Sequence, residues 1–154
     1  MRLYLVQHAE SRSREEDPER SITPRGMANT EKVAEFAAGN NLIAVKYIFH
    51  SGKTRAEQTA NIFADKFKPA GGVAVRDGLK PMDDTAVWAD RLNTISDDTM
   101  LVGHLPHMAR LCARLLAGDD SKPVVRFVNS GIVCLERDEA DDWSLLWAVT
   151  PEIV

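Results

Sequence analysis

Three stretches of the chain carry residue types able to attack or hold a phosphoryl group. The apolar run Leu3 to Val6 ends on Gln7 and His8, with small Ala9 behind them and a polar, charge-rich loop from Ala9 to Arg20. A second run, Val45 to Phe49, is followed by His50-Ser51-Gly52-Lys53-Thr54-Arg55. A third, Met100 to Val102, is followed by Gly103-His104-Leu105-Pro106-His107. Neutral imidazole is a good nucleophile toward phosphorus, and a strand end fixes it while a small neighbour lets backbone and ligand approach. His8 is the candidate nucleophile on that ground. A lone histidine at a strand end is more often a hydrogen-bonded structural residue; His104, at the end of another strand, shifts the balance because it could donate to a transferring oxygen.

Lys53 and Arg55 fall in the first turn of a helix, where the macrodipole disfavours positive charge. An anion there would be held by free backbone N–H groups and by a forked guanidinium that matches phosphate oxygens. The alternative is that both side chains point into water, at a cost of a few tenths to about 1 kcal/mol. The sequence leaves the two readings even. His107, one helical turn beyond His104 behind Pro106, is expected to be a partly exposed helix residue with no more than an indirect part in a site.

These residues need strands that end on one edge. Leu3 to Val6, Val45 to Phe49, Val73 to Val75 and Met100 to Val102 are each followed by a segment of helical character, the alternation of a parallel α/β sheet. Thr23 and Pro24 open a helix that runs through Ala38 before Gly39, and Ala109 to Ala117 close another at Gly118. Gly131 to Glu136 and Trp143 to Val149 read as strands across a polar turn, an antiparallel hairpin added to the sheet. Helices are expected on both faces. In such sheets ligands collect outside the carboxyl ends of the strands, which is where His8, Arg55 and His104 would meet.

At 154 residues and 44% hydrophobic content, the chain suits one domain, residues 1–154, with a substantial core. A formal charge of -4 with no Lys/Arg block argues against nucleic acid or an anionic membrane as partner. No apolar run approaches the roughly 18 residues that span a bilayer, so a cytoplasmic protein is expected. The two cysteines, Cys112 and Cys134, lie in apolar patterns and suit reduced core thiols.

The combination of motifs resembles the histidine phosphatases, or phosphoglycerate mutase-like superfamily. In that family an Arg-His-Gly triplet ends the first strand; here it reads Gln7-His8-Ala9. "ITPRG" at Ile22 to Gly26, "HSGKTRAEQTA" at His50 to Ala60 and "LVGHLPHM" at Leu101 to Met108 follow in family order and cover most of the chain. Length, the "EEDPERSIT" loop and "HLPHM" are similar to the short SixA-type phosphohistidine phosphatases. The resemblance implies a three-layer α/β/α fold with a mostly parallel sheet and an antiparallel C-terminal strand. It implies His8 as the residue phosphorylated during turnover, Arg55 and His104 as its catalytic partners, and Gln7, Arg55, His104 and Leu105 around the phosphate. It implies no cofactor and no metal, and a substrate that is a phosphorylated protein, as phosphohistidine, or a small phosphate ester.

Gln7 keeps an amide donor but loses the charge and fork of the family's arginine, so Arg12, Arg14 or Lys53 would have to lean in. Ala9 in place of glycine restricts the backbone if a positive φ is needed. The family takes an acid from the loop after the third strand, where Asp83 is the candidate, with Asp84. "PMDDTAVWADRL" reads at least as well as a helix start with acidic caps. Without long insertions to build a lid, the pocket should be open to a protein side chain. Three rivals follow: a small-ester phosphatase with a working acid, a non-catalytic phosphate-binding module suggested by Gln7 and Ala9, and, last, a metal site from His8, His104, His107 and Asp83. The histidines three apart do not suit a metal on one helix face.

Overall fold

The computed structural model describes residues 1–154. Six strands, β1 (Arg2–Gln7), β2 (Tyr47–His50), β3 (Val73–Val75), β4 (Thr99–Gly103), β5 (Ile132–Arg137) and β6 (Trp143–Val149), form one sheet in the order β3-β2-β4-β1-β5-β6. The pairs β1–β4, β2–β4 and β2–β3 are parallel, while β1–β5 and β5–β6 are antiparallel. The expected parallel sheet with an added C-terminal hairpin is therefore observed.

Four helices cover the sheet: α1 (Pro24–Gly39), α2 (Thr54–Phe67), α3 (Thr85–Leu92) and α4 (His107–Ala117). Val33, Ala34, Ala56, Ala60 and Phe63 of α1 and α2 pack with Tyr4, Val6, Met100 and Val102 on one face. Trp88, Leu92, Met108 and Leu111 of α3 and α4 pack with Leu3, Leu5 and Leu101 on the other. Both faces are covered, which is why the central strands read as unbroken apolar runs and not as alternating ones. No helix is long and apolar enough to cross a membrane. Cys112 and Cys134 are buried and free.

The boundaries follow local chemistry. The Thr23 side chain accepts from Gly26 N–H, Pro24 sits in the first turn of α1, and Gly118 closes α4 in the left-handed region. One boundary differs from expectation. β2 begins at Tyr47 because Lys46 N–H bonds Asp98 O in a connecting loop, and Val45 is buried just outside the strand. α4 begins at His107, directly behind Pro106 and two residues ahead of the apolar run from Ala109. Met108 N–H already bonds His104 O and Arg110 N–H bonds Pro106 O, so the turn after β4 passes directly into the helix.

Candidate active site

The ends of β1, β2 and β4 meet at one edge and place His8, Arg55 and His104 around a cavity of about 420 Å³. Gln7, Glu10, Ser11, Arg20 and Asn129 also line it, as do Pro81 and Leu105.

His8 is held at three points of its own and through the amide of its neighbour. Its N–H bonds Gly103 O of the neighbouring strand at 3.0 Å, and its carbonyl accepts from Asn129 Nδ2 at 2.7 Å. Its ring Nδ1 lies 2.7 Å from Ala9 O. The next amide, Ala9 N–H, donates to Thr59 Oγ1 at 2.9 Å, and that hydroxyl donates in turn to Arg55 O at 2.7 Å, tying β1 to α2. Ala9 is fully buried, and its φ is not positive, so alanine in place of glycine costs no backbone strain here.

The ring's protonation is set by its neighbours. A carbonyl can only accept, so Nδ1 carries the proton; Arg55 Nε can only donate, and it points at His8 Nε2 at 3.2 Å. Nε2 thus presents a lone pair to the cavity. Burial lowers the His8 pKa to about 4, helped by the charges of Arg55 and Arg20. The imidazole is neutral at pH 7, the form that attacks phosphorus.

The two histidine rings lie 4.9 Å apart. His104 Nε2 is 2.6 Å from Ser51 Oγ, which also accepts from Lys53 N–H at 3.3 Å. If the hydroxyl gives its proton to Nε2, both Ser51 bonds are satisfied and the ring proton sits on His104 Nδ1, a buried atom with no protein partner. Burial, then the proximity of His8 and Arg55, lowers the His104 pKa to about 3.

Arg55 is the second residue of α2, and the Lys53 side chain makes no capping bond there. The Arg55 guanidinium is almost buried, and burial followed by the charges of Arg20 and Arg14 pulls its pKa down. Two neutral imidazoles and crowded guanidinium groups make a cavity that an anion relieves.

Several expectations are placed differently. His107 is not partly exposed: it is fully buried at the start of α4, both ring nitrogens lack protein partners, and burial lowers its pKa to about 4. His107 is a helix residue as expected, but it lies on the face of α4 that also buries Met108, Leu111 and Cys112. Asp83 lies outside the cavity, in a separate depression with Asp77, Gly78, Lys80 and Val87, and its carboxylate accepts from Lys80 N–H at 2.9 Å. Asp84 caps α3 by accepting from Ala86 N–H. No group of three or more His, Cys, Asp or Glu side chains gathers in a metal-binding arrangement. Arg12 is fastened to Ser21 Oγ and Ile22 O, whereas Arg20, which drew no attention in the sequence, lines the cavity. Gln7 and Leu105 line it as expected. Glu10 and Asn129 were also missed, since nothing in their spacing singles them out.

Gly26 explains why the "ITPRG" segment matters here. A Cβ at Gly26 would sit 2.4 Å from Glu10 O, so glycine lets the start of α1 press against the backbone just after the histidine. Thr23 Oγ1 donates to Glu10 Oε1 at 2.8 Å, and Arg25 pairs with the same carboxylate.

Residues 3–91 match the sequence profile of the histidine phosphatase superfamily (branch 1). The chain belongs to that superfamily. Among solved structures, the protein histidine phosphatase SixA complexed with tungstate superposes with a TM-score of 0.85 at 22% identity, over 98% of this chain and 97% of that one. The chain described as phosphohistidine phosphatase SixA of Agrobacterium tumefaciens gives 0.75 at 25% identity, over 97% of each. The alpha-ribazole phosphatase of Shigella flexneri gives 0.81 at 13% identity, over 98% of this chain and 97% of that one. These are likenesses of fold, and they agree with the six-stranded mixed sheet. No curated protein sequence matches.

Proposed function

We propose that the protein is a phosphatase working through a phosphoryl-His8 intermediate, and that its substrate is phosphohistidine on a protein. The observation that carries the reading is the pair of contacts on the His8 ring: Nδ1–H to Ala9 O and Arg55 Nε–H to Nε2. They present a neutral nucleophile directly beside a phosphate-binding fork. As phosphate enters, Arg55 turns from Nε2 to the phosphoryl oxygens. Nε2 then forms the new P–N bond while the bond to the leaving nitrogen breaks and that nitrogen takes a proton from water. His104 and the Gln7 amide hold equatorial oxygens. Water next attacks phosphorus, the His8 P–N bond breaks, and inorganic phosphate leaves. No metal enters any step.

The choice of phosphohistidine rests on the missing acid. Glu10 is the one carboxyl group lining the cavity, and the hydrogen bonds from Arg25 and Thr23 hold its pKa below the ordinary carboxylate range. It is ionised and cannot protonate a leaving alkoxide; an imidazole leaving from a phosphoramidate needs far less help. A second chamber of about 500 Å³ shares Gln7, Glu10, Leu105 and Asn129 with the first, room for a side chain presented by another protein. We place this activity in the cytoplasm, where the buried thiols of Cys112 and Cys134 stay reduced.

The test is turnover of a phosphohistidine peptide, an aryl phosphate and an alkyl phosphate, with acid-labile labelling of the enzyme. Wild type should cleave phosphohistidine well ahead of the alkyl ester, and His8→Ala should lose both label and turnover, by about 10⁴-fold or more. Turnover near wild type in His8→Ala, or equal rates on the alkyl ester, overturns the reading. Gln7 favours one alternative, a phosphate-binding module without turnover. Phosphate binding with no turnover on any substrate, and turnover appearing in Gln7→Arg, would establish it.

A further inference from the structure

A phosphoryl dianion needs more positive charge than the strand ends supply. His8 and His104 are neutral, Gln7 is an uncharged amide, and Arg55 is the only cation those elements bring to the cavity. We infer that Arg20 is a phosphate-binding residue of this site, a second guanidinium brought over the cavity by the loop between β1 and α1.

The loop is built to hold it there. Ser11 and Ile22 form an isolated antiparallel bridge at its base, and Arg12 N–H bonds Ser21 O at 2.9 Å. Asp17 accepts from the amide and hydroxyl of Ser21 and from Glu19 N–H, closing the tip on itself. Arg20 sits between these anchors with φ of 50°, a left-handed conformation that an arginine adopts only when its surroundings impose it. That backbone turn aims its side chain inward. Nε donates to Arg12 O at 3.2 Å and Nη2 to Ser11 Oγ at 3.4 Å, which leaves Nη1 without a protein partner on a group that lines the cavity. Its charge is felt by both His8 and Arg55, so it stands close to the nucleophile and to the other fork. Two guanidinium groups this close repel each other until an anion bridges them. Of the three cations the sequence offered for this part, Arg12 is committed to the loop itself, Arg14 is exposed and Lys53 does not line the cavity.

The inference rests on the phosphatase reading only for its kinetic arm. Inorganic phosphate binding, by calorimetry at fixed ionic strength, should weaken at least tenfold in Arg20→Gln and be partly kept in Arg20→Lys, which retains charge but not the fork. With turnover on an aryl phosphate, Arg20→Gln should lower kcat/KM by about 10² to 10³, the usual loss for one oxyanion donor. Adding Gln7→Arg to Arg20→Gln should restore at least tenfold, because charge re-enters the same cavity from the strand. A structural role for Arg20 would not be rescued from position 7. Phosphate affinity within threefold of wild type in Arg20→Gln overturns the inference, as does a double variant no better than the single one. If Arg20→Gln unfolds, Arg20→Lys decides: wild-type phosphate affinity there, where the fork is gone, overturns it. If wild type turns over no substrate, the phosphatase reading fails while the binding arm still decides Arg20.

Discussion

The two halves of the site are held in opposite ways. His8, Arg55 and His104 stand on the ends of β1, α2 and β4, and their backbone is bonded into the sheet and to Thr59 and Asn129. Glu10 and Arg20 stand on a loop outside the sheet, closed at its base by the Ser11–Ile22 bridge and at its tip by side-chain bonds and a left-handed residue. Where regular structure positions a group, its aim comes with the fold. Where a loop positions it, the aim depends on individual polar contacts, so loss of one contact should cost precision before it costs stability.

Each half can be stressed separately, and the largest effect should come from the sheet-borne one. His107, the first residue of α4 and three residues beyond His104, is fully buried, and burial lowers its pKa from the ordinary 6.5 to about 4. The unfolded chain therefore binds a proton that the folded chain refuses between those values, and stability falls as pH drops from 6.5 toward 4. The loss is about 1.4 kcal/mol per pH unit, or about 3 kcal/mol over the window. His107→Leu removes this contribution, so its urea midpoint should decline less steeply than that of wild type between pH 7 and 4.5. Parallel declines would show that the buried imidazole is not the cause.

Next come the contacts that join the end of β1 to α1 and α2. Gly26→Ala places a methyl against Glu10 O and should destabilise by about 1 to 3 kcal/mol, the usual range for an overpacked site. Thermal melting reads the shift, and an unchanged melting temperature would mean that α1 moves away freely. Thr59→Val keeps the shape but strips the acceptor from Ala9 N–H. It should cost about 1 to 3 kcal/mol for a buried donor left unpaired and lower kcat on an aryl phosphate several-fold. An unchanged kcat would show that the brace has no part in aiming His8.

The smallest effect belongs to the loop. Asp17→Ala opens the tip, and it should lower kcat/KM about threefold to tenfold through a less well-aimed Arg20, with little change in melting temperature. A large melting shift with unchanged kinetics would reverse the contrast between the halves.

Much of the sheet-borne half was legible in the chain. Leu3 to Val6 reads as a strand because Leu3, Tyr4, Leu5 and Val6 are all buried against helices, and burial on both faces leaves no polar alternation to confuse. The residues following each run were legible as a set for the same reason: parallel strands must end together. The Lys53–Arg55 conflict with the α2 dipole left an anion and plain solvation as even readings from local electrostatics, and the buried Arg55 at the cavity favours the anion. The loop-borne half was not legible, because loop residues carry no period. Arg20 looked like any surface arginine, and its left-handed backbone depends on Asp17 and Arg12 closing around it. Asp83 and Asp84 read at least as well as caps as they did as an acid, and they act as such: Asp84 caps α3 and the Asp83 carboxylate is taken by its own turn.

By itself, then, the sequence determined the succession of strands and helices and the edge at which chemistry could occur, since these depend on apolar period and helix-start signals within a few positions of one another, and it offered His8, Arg55 and His104 as candidates there. Tertiary structure alone decided that His107 is buried, that Asn129 reaches the His8 carbonyl from 121 residues away, and that Arg20 faces the cavity. Those outcomes depend on contacts between segments far apart in the chain, which exist only after the layers have packed and which no local pattern encodes.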